Sequence, residues 1–135
     1  MKKLLSIGYS PSAFNTAMLV LRLCGGILIA AHGYDKLVHF ASYSEHFINF
    51  MGLSGKISLS LTIFAEVFCA LLIILGLFTR VASVPIIIVM LVALFSAHNA
   101  DFFGKGELAT LFFLIFITLF LLGPGKVSID GAMSK

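Results

Sequence analysis

Charged residues are scarce in this chain of 135 residues. Lysine, arginine, aspartate and glutamate make up 11% of it, nine basic and six acidic side chains, and the formal net charge is only +3. So small a charge gives no indication of a basic surface for nucleic acid. We therefore predict no nucleic-acid partner.

Cysteine is also rare, and the two that occur, Cys24 and Cys69, lie inside predicted helices and form no C-x-x-C pair. A thiol–disulfide catalyst needs an exposed thiolate of low pKa, so this activity is not expected. No haem, flavin or iron–sulfur motif can be placed either. The sequence encodes no cofactor by motif, and electrons for any redox reaction would have to come from a partner or a second subunit.

Apolar residues are abundant: they form 60% of the chain, and the mean hydropathy is +1.11. A helix needs ~20 mostly apolar residues to cross a bilayer, and four windows qualify, about 13–38, 57–78, 81–98 and 107–122. We predict one domain, 1–135, that is an all-α integral membrane protein, a four-transmembrane-helix bundle with up-down-up-down topology. Aromatic residues at helical spacing predict a short interfacial helix, about 42–51, although an ordinary loop could also pack them.

The basic residues are divided unequally between the two sides of this bundle. One side carries Lys2, Lys3, Arg80, Lys126 and Lys135, and the other carries Lys36, Lys56 and Lys105. Lysine and arginine accumulate on the cytoplasmic side of membrane proteins. We expect both termini of this multi-pass protein to be cytoplasmic.

The first helix carries ionisable groups within an apolar segment. At 3.6 residues per turn one stripe collects small, charged and polar residues together with one isoleucine: Arg22, Gly25, Gly26, Ile29, His32, Gly33 and Lys36. Lipid offers neither hydrogen bonds nor counter-charge, so we expect the stripe to face protein. Its glycines could leave room for a ligand, for a neighbouring helix or for a second protomer in a homo-oligomer.

Two charges lie deep inside predicted helices, Arg22 in the first and Glu66 in the second. A lone charge near the bilayer centre costs ~3 kcal/mol on insertion scales. Distances along the helices place both near the middle of the membrane, so we predict a structural Arg22–Glu66 ion pair. The alternative is that each serves a water-filled cavity or a bound ligand.

Further polar residues gather toward the outer half of the predicted bundle: His32, Asp35, Lys36, His98, Asp101 and Glu107. Ionisable groups within membranes often mark ligand or proton sites, and histidine suits proton exchange near neutral pH. They could equally sit at the water interface and hold helix ends. His32, Asp35, His98 and Asp101 have ligand types that suit zinc, but i, i+3 spacing is common by chance, and no metal site is predicted.

Several motifs together resemble one family. HGYDKL at 32–37, Glu66 followed by LLIILGLFTR at 71–80, the pair His98 and Glu107, and GPGKVSID at 123–130 resemble the DoxX family of small four-helix membrane proteins of the bacterial inner membrane. Its relatives include the DoxD-type membrane subunit of thiosulfate:quinone oxidoreductase. In that family the position of Asp35 is often glutamine, which argues against a role for its carboxylate.

The resemblance implies a function near the quinone pool, and the residues agree with it. A quinone headgroup needs hydrogen-bond donors and a proton route beside an apolar wall. Our candidates for ligand binding or proton relay are Arg22, His32, Lys36, Glu66, His98 and Glu107. The expected function is a membrane subunit that binds quinone or a related small redox ligand and links a partner oxidoreductase to the membrane.

Two other functions are also compatible with the sequence. The chain could be a non-enzymatic scaffold or assembly factor for a membrane-associated redox complex. It could also be a small-solute or proton transporter, although four helices are few and neither of the first two is broken by proline. The sequence assigns no catalytic residue, and any activity would belong to an oxidoreductase complex rather than to this chain alone.

Overall fold

A computed structural model describes all residues from 1 to 135, and it contains helices and connections but no β-strand. The helices are α1 Pro11–Val38, α2 Phe40–His46, α3 Gly55–Leu75, α4 Thr79–Ala97, α5 Glu107–Leu122 and α6 Ile129–Met133, with a 3₁₀ turn at Phe50–Gly52. The all-helical prediction is confirmed.

Three of these helices, α1, α3 and α4, are long and apolar enough to cross a membrane. The fourth apolar helix, α5, has 16 residues and a length of about 24 Å at 1.5 Å per residue. The outer surface of the bundle is apolar as well, and side chains such as Ile27, Leu71 and Leu111 are half exposed. A surface of this kind suits contact with lipid chains.

Neighbouring long helices run antiparallel. The backbone of α1 approaches α3 where Gly33 faces Glu66 and where Gly26 faces Ile74, so residue numbers rise in one helix as they fall in the other. The helix α5 packs against both α1 and α4, and α4 also packs against α3. The centre of the bundle is filled by fully buried apolar side chains, among them Ile29, Ile73, Ile86 and Phe116.

This arrangement gives the bundle two ends. We call the end that holds Pro11, Leu75, Thr79 and Leu122 the terminal end, because both chain termini lie next to it. The opposite end holds the end of α1, the start of α3, the end of α4 and the start of α5. Every connection in the chain belongs to one of these two ends.

Local signals fix the ends of α1 and α3. The Ser10 hydroxyl accepts a hydrogen bond from the backbone N–H of Ala13 at 3.1 Å, and Pro11 is the first residue of the helix; both residue types are favoured at these positions of a helix start. The helix α3 stops at Gly76, which has a left-handed φ of 72°. The N–H of Leu77 then bonds to the carbonyl of Leu72, a Schellman closure that satisfies the last carbonyls.

Several predicted boundaries need correction. The interfacial helix was predicted over 42–51, but α2 covers Phe40–His46 and Phe47 is already extended. The helix α3 ends at Leu75 rather than 78, because Gly76 ends it, and α4 begins at Thr79 rather than 81. The fourth apolar helix agrees with its prediction at both ends.

Candidate functional site

The predicted stripe on α1 faces the interior of the bundle. Six residues of this helix are buried: Met18, Arg22, Gly25, Gly26, Ile29 and Gly33. Lys36 is half-buried. His32 is the exception, because its side chain is exposed; its ring makes a T-shaped contact with the ring of Phe112 at a centroid distance of 5.7 Å. The stripe prediction is confirmed apart from this histidine.

The prediction of an Arg22–Glu66 ion pair is wrong. Arg22 is only 2% exposed, and its guanidinium donates four hydrogen bonds to backbone carbonyls. These belong to Ile73 at 3.1 Å, Ile74 at 3.2 Å, Pro124 at 2.8 Å and Val127 at 2.7 Å. The first two carbonyls end α3, where the helix dipole favours a cation.

The reason for the error is the register between α1 and α3. Gly33 is the residue of α1 that faces Glu66, and it lies eleven residues beyond Arg22, or about 16 Å along the helix. The predicted depths assumed helix starts and a membrane thickness but no register. Arg22 therefore lies at the terminal end, where it joins α3 to the segment 123–130.

Glu66 pairs with Lys36 instead. The Lys36 Nζ donates to Glu66 Oε2 at 2.6 Å, with Glu66 3% exposed and Lys36 20% exposed. An ammonium has three N–H donors, and Glu66 takes one of them. Two donors remain for another acceptor.

This ion pair forms part of the wall of a cavity of about 570 Å³ near the opposite end of the bundle. Most of the lining is apolar and comes from α2, α3, α4 and the turn after α2. The polar members of the wall are Lys36, Tyr43, His46, Ser58, Thr62, Glu66 and His98. Ligand pockets are commonly 300–1,000 Å³, mostly apolar, with a few placed polar groups, and this cavity fits that description.

Two π-helical stretches border the cavity. One covers Phe64–Cys69 in α3 and includes Glu66, and the other covers Ala93–Ala97 in α4 and directly precedes His98. A π-helical stretch inserts extra backbone into a helix and turns the neighbouring side chains, and such stretches are frequent at functional sites. Two polar residues of the cavity wall, Glu66 and His98, thus lie in or directly after such a stretch.

The short helix α2 forms the roof of the cavity. The Tyr43 hydroxyl donates to the carboxylate of Asp35 at 2.6 Å, and His39 approaches the other oxygen of that carboxylate at 3.2 Å. The hydrogen bond to Asp35 raises the pKa of the Tyr43 phenol, since it stabilises the protonated form. Asp35 therefore ties α2 to the end of α1 and does not enter the cavity.

The remaining candidates lie apart from one another. His98 is half-buried and lines the cavity. Asp101 accepts a hydrogen bond from the N–H of Lys105, and Glu107 is exposed in the first turn of α5. No three histidine, cysteine, aspartate or glutamate side chains come together as metal ligands would. His32, Asp35, His98 and Asp101 are thus not gathered into one group.

Sequence reasoning missed three residues with clear positions. Tyr43 and His46 line the cavity because α2 folds over it, and no local signal shows where that helix will lie. The carboxylate of Asp130 accepts from the N–H groups of Phe78 and Thr79 at 2.8 and 3.0 Å, so it caps the start of α4 from the other end of the chain. The sequence shows the motif that contains Asp130, but it does not show that Asp130 binds the start of α4.

Comparison with known proteins agrees with these observations. A family model described as DoxX matches residues 17–99, from α1 to the end of α4. Curated protein sequences gave no match, and solved structures gave none. Because the family match covers more than half of the chain and includes Lys36, Glu66 and His98, this protein belongs to the DoxX family.

Proposed function

We propose that this DoxX protein is a membrane subunit that binds quinone, or a related small redox ligand, in the cavity beside Lys36 and Glu66, and that it links a partner oxidoreductase to the membrane. One observation carries the proposal. A buried ion pair stands in the wall of an otherwise mostly apolar cavity, inside helices suited to a membrane. Intramembrane ionisable residues mark ligand sites by default.

The residues of the cavity fit the chemistry of a quinone. Its ring carries two carbonyl oxygens that accept hydrogen bonds, and its tail is apolar; when bound it supplies reversible two-electron, two-proton redox chemistry. The Lys36 ammonium has donors beyond the one it gives to Glu66. His98 lies in the same wall, and its ring nitrogens can donate or accept a hydrogen bond. The hydrogen bond to Glu66 fixes the position of the Lys36 ammonium in the wall.

The cavity also offers a way in from the bilayer. Its wall includes Leu61, Phe64 and Ile88, each nearly half exposed on the outer surface of the bundle. An apolar tail could leave between α3 and α4 along these side chains. A ligand dissolved in the membrane would then not have to cross water to reach Lys36.

The test is equilibrium binding of a short-tailed benzoquinone to the detergent-purified protein, measured by calorimetry. The double variant Lys36→Met/Glu66→Gln removes both charges together and leaves no buried charge unpaired. Its affinity should fall about tenfold or more, because hydrogen bonds to charged groups contribute about 1.5–3 kcal/mol. The matched control, Asp101→Asn/Lys105→Met, removes opposite charges at the same end but outside the cavity and should bind like the wild type. Equal affinities, or no binding by the wild type, would refute the proposal.

The placement in the membrane is part of the same proposal. The helix α5 runs beside α4 along most of its length, from Gly106 against Leu94 to the Leu121 carbonyl near Arg80. It would therefore form a fourth crossing, with a slight shortfall in length that bilayers accommodate. With the basic terminal end in the cytoplasm of a bacterial inner membrane, a fluorescent protein fused to the C-terminus should fold and fluoresce. A periplasmic reporter at that position should be inactive.

One observation favours a second function, that of a scaffold or assembly factor. The buried charges all have partners within the chain: Lys36 pairs with Glu66, and Arg22 binds four carbonyls. Charges satisfied in this way can simply hold helices together. A membrane or periplasmic oxidoreductase that co-purifies with the wild type and equally with Lys36→Met/Glu66→Gln, while neither binds quinone, would favour the scaffold.

A further inference from the structure

A second cavity opens at the terminal end of the bundle, far from the Lys36–Glu66 pair. It has a volume of about 770 Å³ and is lined by residues that include Asn15, Phe78, Thr79, Arg80, Lys126 and Asp130. These come from the starts of α1 and α4 and from the segment after α5. The proposed redox site uses none of them.

In this cavity the acidic side chain is fully hydrogen-bonded, whereas the two basic side chains are not. Both oxygens of Asp130 accept hydrogen bonds from backbone N–H groups at the start of α4. Arg80 makes one hydrogen bond, to the Leu121 carbonyl at 3.4 Å, beyond the usual length for N–H···O. The Lys126 side chain is exposed and has no acidic partner. The cavity thus presents two cations with unused donors, while its acid is already bound.

An unsatisfied hydroxyl lies in the same wall. Thr79 is fully buried, and its Oγ1 is the buried side-chain polar atom that lacks a hydrogen-bond partner. Buried polar groups are nearly always hydrogen-bonded, so such an exception calls for an explanation. Thr79 belongs to the lining of the cavity, and a group with acceptor oxygens bound there would pair with the hydroxyl once the Thr79 side chain turns toward it.

The cavity also lies where a membrane would meet water. The helices α1 and α4, which are long and apolar enough to span, both begin there. Tyr9 and Phe78 line it and are largely exposed, and tyrosine accumulates at the headgroup level. The cavity therefore has apolar neighbours on one side and cations on the other.

We propose that this cavity binds the headgroup of an anionic glycerophospholipid, with its phosphate between Arg80 and Lys126 and its acyl chains along the apolar exterior. Arginine and lysine both bind phosphate oxygens, and arginine can do so through two parallel hydrogen bonds. Basic pockets between transmembrane helices bind acidic headgroups on the cytoplasmic side. The site goes beyond the proposed redox function and depends only on the placement of the chain in a membrane.

The test is native mass spectrometry of the full chain in a neutral detergent, with dioleoyl-phosphatidylglycerol or dioleoyl-phosphatidylcholine added at equal concentration. The wild type should retain phosphatidylglycerol at least about fivefold better than phosphatidylcholine. The variant Arg80→Gln/Lys126→Gln should lose about tenfold or more of that retention, since two cations act on one phosphate. The matched control Lys56→Gln/Lys105→Gln removes the same charge from the opposite end and should retain the lipid like the wild type.

Two further arms separate this site from simpler explanations. Thr79→Val removes the hydroxyl and leaves every charge in place. It should reduce the retention of phosphatidylglycerol, and unchanged retention would contradict the role of Thr79. If equimolar glycerol 3-phosphate displaces the lipid, the proposal of a lipid ligand is wrong and the cavity binds a soluble anion instead. Equal retention of both lipids, or an equal loss in the control variant, would overturn the site itself.

Discussion

The substitution Arg22→Met tests the role of the buried guanidinium at the terminal end. Methionine keeps most of the apolar volume of the side chain but removes four hydrogen bonds. The four carbonyls concerned come from two separate parts of the chain, the end of α3 and the segment 123–130. The substitution should therefore loosen the attachment of the C-terminal segment to α3.

The size of the effect follows from the number of bonds lost. A buried polar group left without a partner costs about 1–3 kcal/mol, but hydrogen bonds measured within membrane proteins average only about 0.6 kcal/mol. For four bonds the lower figure gives about 2.4 kcal/mol. We expect the free energy of unfolding to fall by about 2–4 kcal/mol.

The assay is reversible unfolding in mixed micelles with increasing sodium dodecyl sulfate. Arg80→Met is the matched control, because it removes an exposed arginine with one long hydrogen bond at the same end, and it should change the free energy by less than about 0.5 kcal/mol. Combined with Glu66→Gln, Arg22→Met should be additive, since about 16 Å of helix separates the two sites. Equal effects of Arg22→Met and Arg80→Met, or strong coupling to Glu66, would refute this reasoning.

Two other predictions concern the α1–α3 contact and the roof of the cavity. A Cβ added at Gly33 would lie 2.7 Å from the Glu66 Cβ and from a Val67 methyl. The substitution Gly33→Ala should therefore lower the free energy of unfolding by about 1–3 kcal/mol. A change as small as that caused by Gly8→Ala, at an exposed glycine, would contradict this prediction. Tyr43 should titrate above its ordinary pKa of 10.0. Its hydrogen bond stabilises the folded roof below pH ~10 and is lost as pH rises through the raised pKa. In a background of Tyr9→Phe/Tyr34→Phe, which leaves Tyr43 as the one tyrosine, ultraviolet titration should show the pKa returning toward 10.0 on Asp35→Asn, and an unchanged pKa would argue against this bond.

The sequence predicts the helices well because their signals are local. Ser10 before Pro11 marks the start of α1, and Gly106 followed by Glu107 marks the start of α5. The buried stripe of α1 is equally readable, since helical periodicity alone brings Arg22 and Gly33 to one face. Each of these predictions needs only the residues within a few turns.

The partners of the charges could not be predicted in the same way. Lys36 and Arg22 lie on the same stripe, and only the register against α3 decides which of them meets Glu66. That register depends on close contacts such as Gly26 against Ile74, which are properties of two helices together. The π-helical stretch around Glu66 likewise has no sequence signature, so helical periodicity could not predict the cavity beside it.

The most direct test of the central claim is to locate the bound ligand. An azido-quinone activated by light in the presence of the purified protein should label peptides from α2 and from α4, around Tyr43 and His98, since both lie in the wall that contains Lys36. Excess unlabelled quinone should suppress the labelling. Labelling confined to the outer face of α5, or labelling unchanged in Lys36→Met/Glu66→Gln, would contradict the account.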